Sequence, residues 1–327
     1  MTHEWGEGEL TWRCREVAPG VLQLSVPRLR GFVNVYAIGG GGGGSWTLVD
    51  SAEASDVSRG ALLDVLKRKG VLDDGVEQIF LTHGHPDHTG LAQELAALTG
   101  AIVVAHRSTL AGHVVDADFL RRHGLEVDAG PSRRPVLAFG SERVRLADDG
   151  DTLEAGSRRF TLVWTPGHHP GQLCALEPAS GLLIAGDRLL RIPIGVARYS
   201  AADEDPLGDH LRSFERLRPL PLRLVLPGHG RAFADAQGAL EQDRRAHLVD
   251  LRVVLEAIPR GGADAPAIAG RARAAVDAVN RGTVAPRSEL LAVGRCLAAL
   301  RLLALRGLVT ADEAARPVRF ARTEPRG

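Results

Sequence analysis

Residues 82–88 read THGHPDH and directly follow the strand-like stretch 78–81. Three imidazoles and one carboxylate fall within six residues, and Gly84 and Pro86 interrupt any regular element there. Such a segment is a loop at the end of a strand, and its side chains can surround a cation from several directions. Imidazole combined with carboxylate favours zinc, iron or manganese over the all-oxygen shells of calcium or magnesium. The chemistry this points to is metal-dependent hydrolysis.

Three more segments repeat the pattern. His168 lies in TPGHHPG after the strand expected at 160–165. Asp187 lies in AGD after 182–185, and His229 lies in LPGHG after 222–226. Each donor stands beside Gly or Pro where a strand delivers its last residue to a sheet edge, the place where sites on layered folds gather. A single histidine of this kind reads as an ordinary surface or core residue. Four such loops on one chain do not.

The rest of the sequence frames these loops. Strands are predicted at 21–26, 33–38, 46–49, 101–105, 139–146 and 173–176, with helices at 55–69, 89–98 and 239–257. The glycine run 39–44 reads as a hairpin tip, since it lacks the Lys-Ser/Thr of a phosphate-binding loop. Interleaved strands and helices predict a layered α/β fold. Residues 259–266 read as a linker. It divides a domain at 1–258 from a second at 259–327, whose two helices and hairpin resemble a winged helix.

Composition removes several classes of function. Forty basic and forty acidic residues give zero formal charge, so no global field favours nucleic acid or acidic membrane. From Arg260 onward there are 12 Arg against 6 acidic residues, a mild excess only. Cys14, Cys174 and Cys296 are isolated and make neither a disulfide framework nor a paired-cysteine zinc site. The acidic start of the chain lacks a secretory apolar core, and no run approaches the roughly 18 apolar residues of a membrane span. A soluble, cytoplasmic protein with no membrane partner is expected.

With NVY at 34–36 and LVDS at 48–51, these motifs resemble those of the metallo-β-lactamase fold superfamily over roughly residues 17–257. The resemblance implies an α/β fold, an αββα sandwich, with metals at one edge. It implies two divalent ions, zinc first, with iron or manganese as alternatives. His83, His85 and His168 would hold one ion and Asp87, His88 and His229 the second, with Asp187 bridging. Asp50 matches an aspartate that orients a ligand histidine. Two cations about 3.5–4 Å apart acidify a shared water and polarise a carbonyl or phosphoryl oxygen. Asp87 is also the candidate catalytic proton acceptor. Of the adjacent pair, the motif selects His168, leaving His169 to face solvent or substrate. His106, His113, His123, His210 and His247 read as surface residues, and Tyr199 as an undistinguished loop residue.

Branches of the superfamily separate on single positions. β-Lactamases carry Cys or Ser where Asp187 stands, flavodiiron oxidoreductases carry Glu at His85, and quorum-sensing lactonases carry Tyr at Leu190. Nucleases with an inserted cap need more chain between Asp187 and His229. Glyoxalase II-like thioester hydrolases remain, together with the branch that includes endoribonucleases bearing a winged helix. The expectation is a dinuclear hydrolase in which a metal-bridging hydroxide attacks a small ester, thioester or lactone. The alternatives are an endoribonuclease, a non-enzymatic winged-helix regulator, and an oxidative enzyme with one iron. A small-molecule partner is favoured over nucleic acid because stacking aromatics are scarce.

Overall fold

A computed structural model describes residues 4–5, 12–39, 44–111, 114–126, 132–133, 143–200, 204–279 and 288–324. The chain divides into two compact units. The first comprises Met1–His113, Pro135–Ile192 and Arg216–Leu240; the second comprises Val114–Arg134, Pro193–Glu215 and Glu241–Gly327.

In chain order the first elements are β1 Glu4–Trp5, β2 Arg13–Ala18, β3 Val21–Pro27, β4 Phe32–Gly39, β5 Trp46–Val49, α1 Asp56–Arg68 and α2 Val71–Asp74. Then come β6 Val76–Leu81, α3 Pro86–Thr89, α4 Ala92–Thr99, β7 Ile102–Ala105, α5 Arg107–Leu110, β8 Val114–Val115, α6 Ala117–Arg122, β9 Ser132–Arg133 and β10 Val144–Leu146. The second half carries β11 Thr152–Ala155, β12 Arg158–Trp164, β13 Leu173–Glu177, β14 Leu182–Gly186, α7 Pro206–Leu217, β15 Leu224–Pro227 and α8 Ala236–Ala257. It closes with α9 Ala265–Val279, α10 Glu289–Leu305, β16 Val309–Asp312 and β17 Arg319–Arg322.

Two sheets build the first unit. One runs β1-β2-β3-β4-β5-β6-β7-β10 and the other β11-β12-β13-β14-β15. Strands β4, β5 and β7 of the larger sheet are buried on both faces over most of their length and read as near-continuous apolar runs. The period-two alternation still sorts them. Val33, Val35, Ala37, Leu48, Ile79, Leu81, Val103 and Ala105 face a core with Ala61, Leu62, Val65 and Leu66 of α1 and Ala92, Leu95 and Ala96 of α4. Tyr36, Ile38, Val49, Phe80 and Val104 turn the other way, onto Leu153, Phe160, Leu162, Leu173, Ile184 and Leu226 of the smaller sheet. Helix α1 begins where Ser55 accepts a hydrogen bond from the Ser58 amide at 3.2 Å. Asp56 in its first turn and Lys67 and Arg68 in its last complement the helix dipole.

The second unit is mainly helical. Its core joins Phe119 and Leu120 of α6, Leu251 and Val254 of α8, Ile268 of α9, Leu297, Leu300 and Leu303 of α10, and Val309 and Phe320 of the β16–β17 hairpin. Ala263 bridges to Phe320, so the segment read as a linker is tied to that hairpin by backbone hydrogen bonds. Residues 40–43 of the glycine run and 139–142 of the strand expected at 139–146 lie outside the described residues. No helix among those described is long and apolar enough to cross a membrane.

Candidate metal centre

Strand direction brings the four loops together. β5 and β6 run parallel and release Asp50 and then Thr82 and His83 at the same end. β14 and β15 run parallel and release Asp187 and His229. β12 is antiparallel to β13, which is antiparallel to β14, so β12 points as β14 does and leads into His168. His85 is the residue before α3, with Pro86 in the first turn, where the missing N–H is no loss. Asp87 and His88 lie inside that short helix.

All seven expected residues meet at this edge. Donor atoms of His83, His85, His168 and Asp187 lie within 4.8 Å of one another, as do those of Asp87, His88 and His229. His85 Nδ1 is 3.1 Å from His83 Nε2 and 2.9 Å from His168 Nε2. Asp187 reaches both groups: Oδ2 is 3.6 Å from His168 Nε2 and 3.4 Å from His229 Nε2, and Oδ1 is 3.5 Å from His88 Nε2. Asp187 therefore lies within reach of both groups.

The surroundings fix which nitrogen faces inward. His88 Nδ1 is 2.7 Å from Asp50 Oδ2, and His229 Nδ1 is 2.8 Å from the Phe32 carbonyl, so both rings direct Nε2 to the centre. Asp50 itself accepts from the Thr82 amide at 2.8 Å and from Thr82 Oγ1. Its φ is +61° and that of Ala52 is +63°. Aspartate tolerates this left-handed region, whereas alanine is strained there. Hydrogen bonds hold the turn: Asp50 N to Phe80 O at 2.8 Å, and Ser51 N to His88 O at 2.7 Å. Close backbone approach matters at Gly228, where a Cβ would overlap Asp187 Oδ1 and sit 2.7 Å from His88 Cε1.

Charges are strongly coupled here. Burial lowers the pKa of His83, and burial holds His168 down at about 4. For His88 burial also pulls down, but the carboxylates of Asp187 and Asp50 outweigh it and hold the ring well above its ordinary value. His229 behaves alike: hydrogen bonds to Asp187 and Asp87 overcome burial and bring it to about 9. Burial opposes ionisation of Asp87 and Asp187, yet neighbouring imidazoles keep both below the usual carboxylate range, and Arg28 adds its charge and an ion pair at Asp87. A carboxyl held so low is a weak proton acceptor, which limits Asp87 in the catalytic role expected of it.

The donor set fits a cation on an independent observation. His88 Nε2 and Asp187 Oδ1 are buried and make no hydrogen bond among the described residues. Buried polar atoms seldom go unsatisfied, and these two face each other across the cluster. His169 does not point to solvent: it is fully buried, its Nδ1 accepts from the Gly171 amide at 3.0 Å, and its ring packs where a Cβ on Gly84 would fall. His106, His123, His210 and His247 are buried too, against the surface reading; His113 lies outside the described residues. Arg28 carried no sequence signal, because nothing local ties an isolated arginine in a turn to Asp87. Arg13, Arg15, Phe32, Asn34 and Arg231 are among the residues lining a cavity of about 430 Å³, and none of the seven donors lines it.

The profile of the metallo-beta-lactamase superfamily matches residues 28–229. The chain belongs to this superfamily. It is a metal-dependent hydrolase by that membership and by its His/Asp donor clusters. Its α/β fold is the one the superfamily motifs implied. Among curated relatives, the probable metallo-hydrolase YqjP of Bacillus subtilis (strain 168) is 25% identical over 269 residues, covering 73% of this chain and 80% of that one. A hydroxyacylglutathione hydrolase of Maricaulis maris (strain MCS10) is 28% identical over 205 residues, covering 62% and 67%. The crystal structure of a metallo-beta-lactamase family protein from Thermus thermophilus is similar at a TM-score of 0.76 and 28% identity, covering 94% of this chain and all of that one.

Proposed function

We propose that the chain is a dinuclear hydrolase of small esters, thioesters or lactones. The observation that carries the reading is the paired donor set, three histidines on one side and Asp87, His88 and His229 on the other, with Asp187 within reach of both. His83, His85 and His168 would hold one ion, Asp87, His88 and His229 the other, and Asp187 would serve both. The donor types suit zinc first, and iron or manganese next. When bound, such ions supply an acidified water and polarise the substrate oxygen.

The chain's own residues do the positioning. Asp50 and the Phe32 carbonyl each hold one histidine in the tautomer that leaves Nε2 free to ligate. His229 and His88, with Arg28 adding its charge, keep Asp87 anionic. Thioesters lead the substrate classes because hydroxyacylglutathione hydrolases are among the relatives. In this reading α9, α10 and the β16–β17 hairpin form a winged-helix-like module that the chemistry does not require.

The test is a panel of thioesters, esters and lactones run beside single-stranded RNA, each with zinc or manganese. Hydrolysis of a panel member that is lost in Asp187→Ala supports the reading. Metal-dependent RNA cleavage lost in the same variant, with the panel inert, would replace it with an endoribonuclease. Fewer than about one metal per chain under replete conditions would favour a non-enzymatic regulator.

A further inference from the structure

A second cluster of metal-binding side chains lies wholly inside the second unit. Helix α8 carries Asp243 and His247 at positions i and i+4, which places both on one face. His210 on α7 meets them there: His210 Nε2 is 2.8 Å from Asp243 Oδ2, and the His210 and His247 rings are 4.4 Å apart. The donor atoms of the three residues lie within 4.8 Å of one another, the same spacing as within the catalytic groups. His210, Asp243 and His247 are 1%, 4% and 2% exposed.

The hydrogen bonds leave one atom conspicuous. His247 Nδ1 is 2.8 Å from the Asp243 carbonyl, so it carries the proton and donates. Its Nε2 is then a lone-pair nitrogen, buried with no hydrogen bond among the described residues, while Nδ1 is the ring nitrogen found 3.6 Å from the Asp243 carboxylate. Buried ring nitrogens seldom go without a partner. The chemistry of the set, two imidazoles and a carboxylate, is that of zinc and its first-row neighbours.

We propose that His210, Asp243 and His247 bind a divalent transition-metal ion that fastens α7 to α8 within the second unit. Burial of all three residues leaves no place for a substrate, so the role is structural. Asp243 supplies the negative charge that a buried cation needs. Binding displaces the proton shared between His210 Nε2 and Asp243, so affinity falls as pH falls.

The first experiment counts metal in the chelator-stripped and zinc-reloaded full-length chain. His247→Gln and His210→Gln are each expected to bind one ion fewer than the unmutated chain while keeping its near-ultraviolet dichroism and its hydrolytic rate. This difference is independent of how many ions the catalytic centre holds. An unchanged count in a folded variant overturns the proposal. A crystal of the zinc-loaded unmutated chain, read by anomalous scattering, decides the matter even where both variants misfold. A peak about 2.0–2.1 Å from a ring nitrogen of His210 or His247 supports the site, and its absence beside an occupied catalytic centre overturns it.

Discussion

Replacing Asp50 by asparagine tests how the fold sets a ligand's tautomer. Asp50 is buried and both of its oxygens are engaged: Oδ1 takes the Thr82 amide at 2.8 Å, and Oδ2 takes His88 Nδ1 at 2.7 Å. Asparagine keeps the size and tolerates φ of +61°, so the backbone strain that alanine would add is avoided. Only one acceptor oxygen remains. If it serves Thr82, the amide nitrogen faces His88 Nδ1 as a donor, and the imidazole proton must move to Nε2, the atom aimed at Asp187. If the amide turns over, the buried Thr82 N–H loses its partner at about 1–3 kcal/mol. Either way the site is weakened. Loss of such an orienting group lowers metal affinity by about 10–100-fold, which corresponds to about 1.4–2.7 kcal/mol. Competition with a chromophoric chelator measures this, with urea unfolding as the control for the fold. Asp50→Asn that binds zinc within about twofold of the unmutated chain would refute the tautomer argument.

Further outcomes follow from the same geometry. In the metal-free chain His88 is held well above its ordinary pKa and His229 at about 9, so both carry protons at neutral pH. Metal binding there should release protons, read by titration calorimetry in buffers of different ionisation enthalpy, and affinity should rise with pH until about 9. The matching stability term has a fixed sign: a raised imidazole pKa stabilises the metal-free fold fully below the unfolded value near 6.5, and that term is lost as pH rises through about 9. The metal-free chain should therefore melt lower at alkaline pH than at about pH 6, as calorimetry would show. Gly228→Ala should lower kcat by at least about tenfold in steady-state assays, since its Cβ displaces Asp187 and His88 together.

Legibility of the sequence followed distance along the chain. THGHPDH stood out because four donors share one loop, and His168, Asp187 and His229 because each ends an apolar strand beside Gly or Pro. β4 and β6 were visible as apolar runs buried on both sides. β2, reading RCREVA, was not, because its polar residues are half-buried or exposed and mask the strand pattern. No helix is predicted at Pro206–Leu217, so nothing in the sequence sets His210 beside α8. Asp243 and His247 sit among Arg244, Arg245 and other charged residues of α8, so their shared face looks solvated until α7 is placed against it. The burial of His169 is hidden for a related reason: its ring packs against Gly84, distant in sequence and without a side chain to announce the contact.

The most direct measurement is the rate of thioester hydrolysis by one preparation before metal stripping, after stripping, and after reloading with zinc. Activity is expected to disappear with the metal and to return with it. Activity indifferent to stripping would contradict a metal-dependent hydrolase, as would a reloaded chain with metal bound at all seven residues and no hydrolysis of any ester, thioester or lactone.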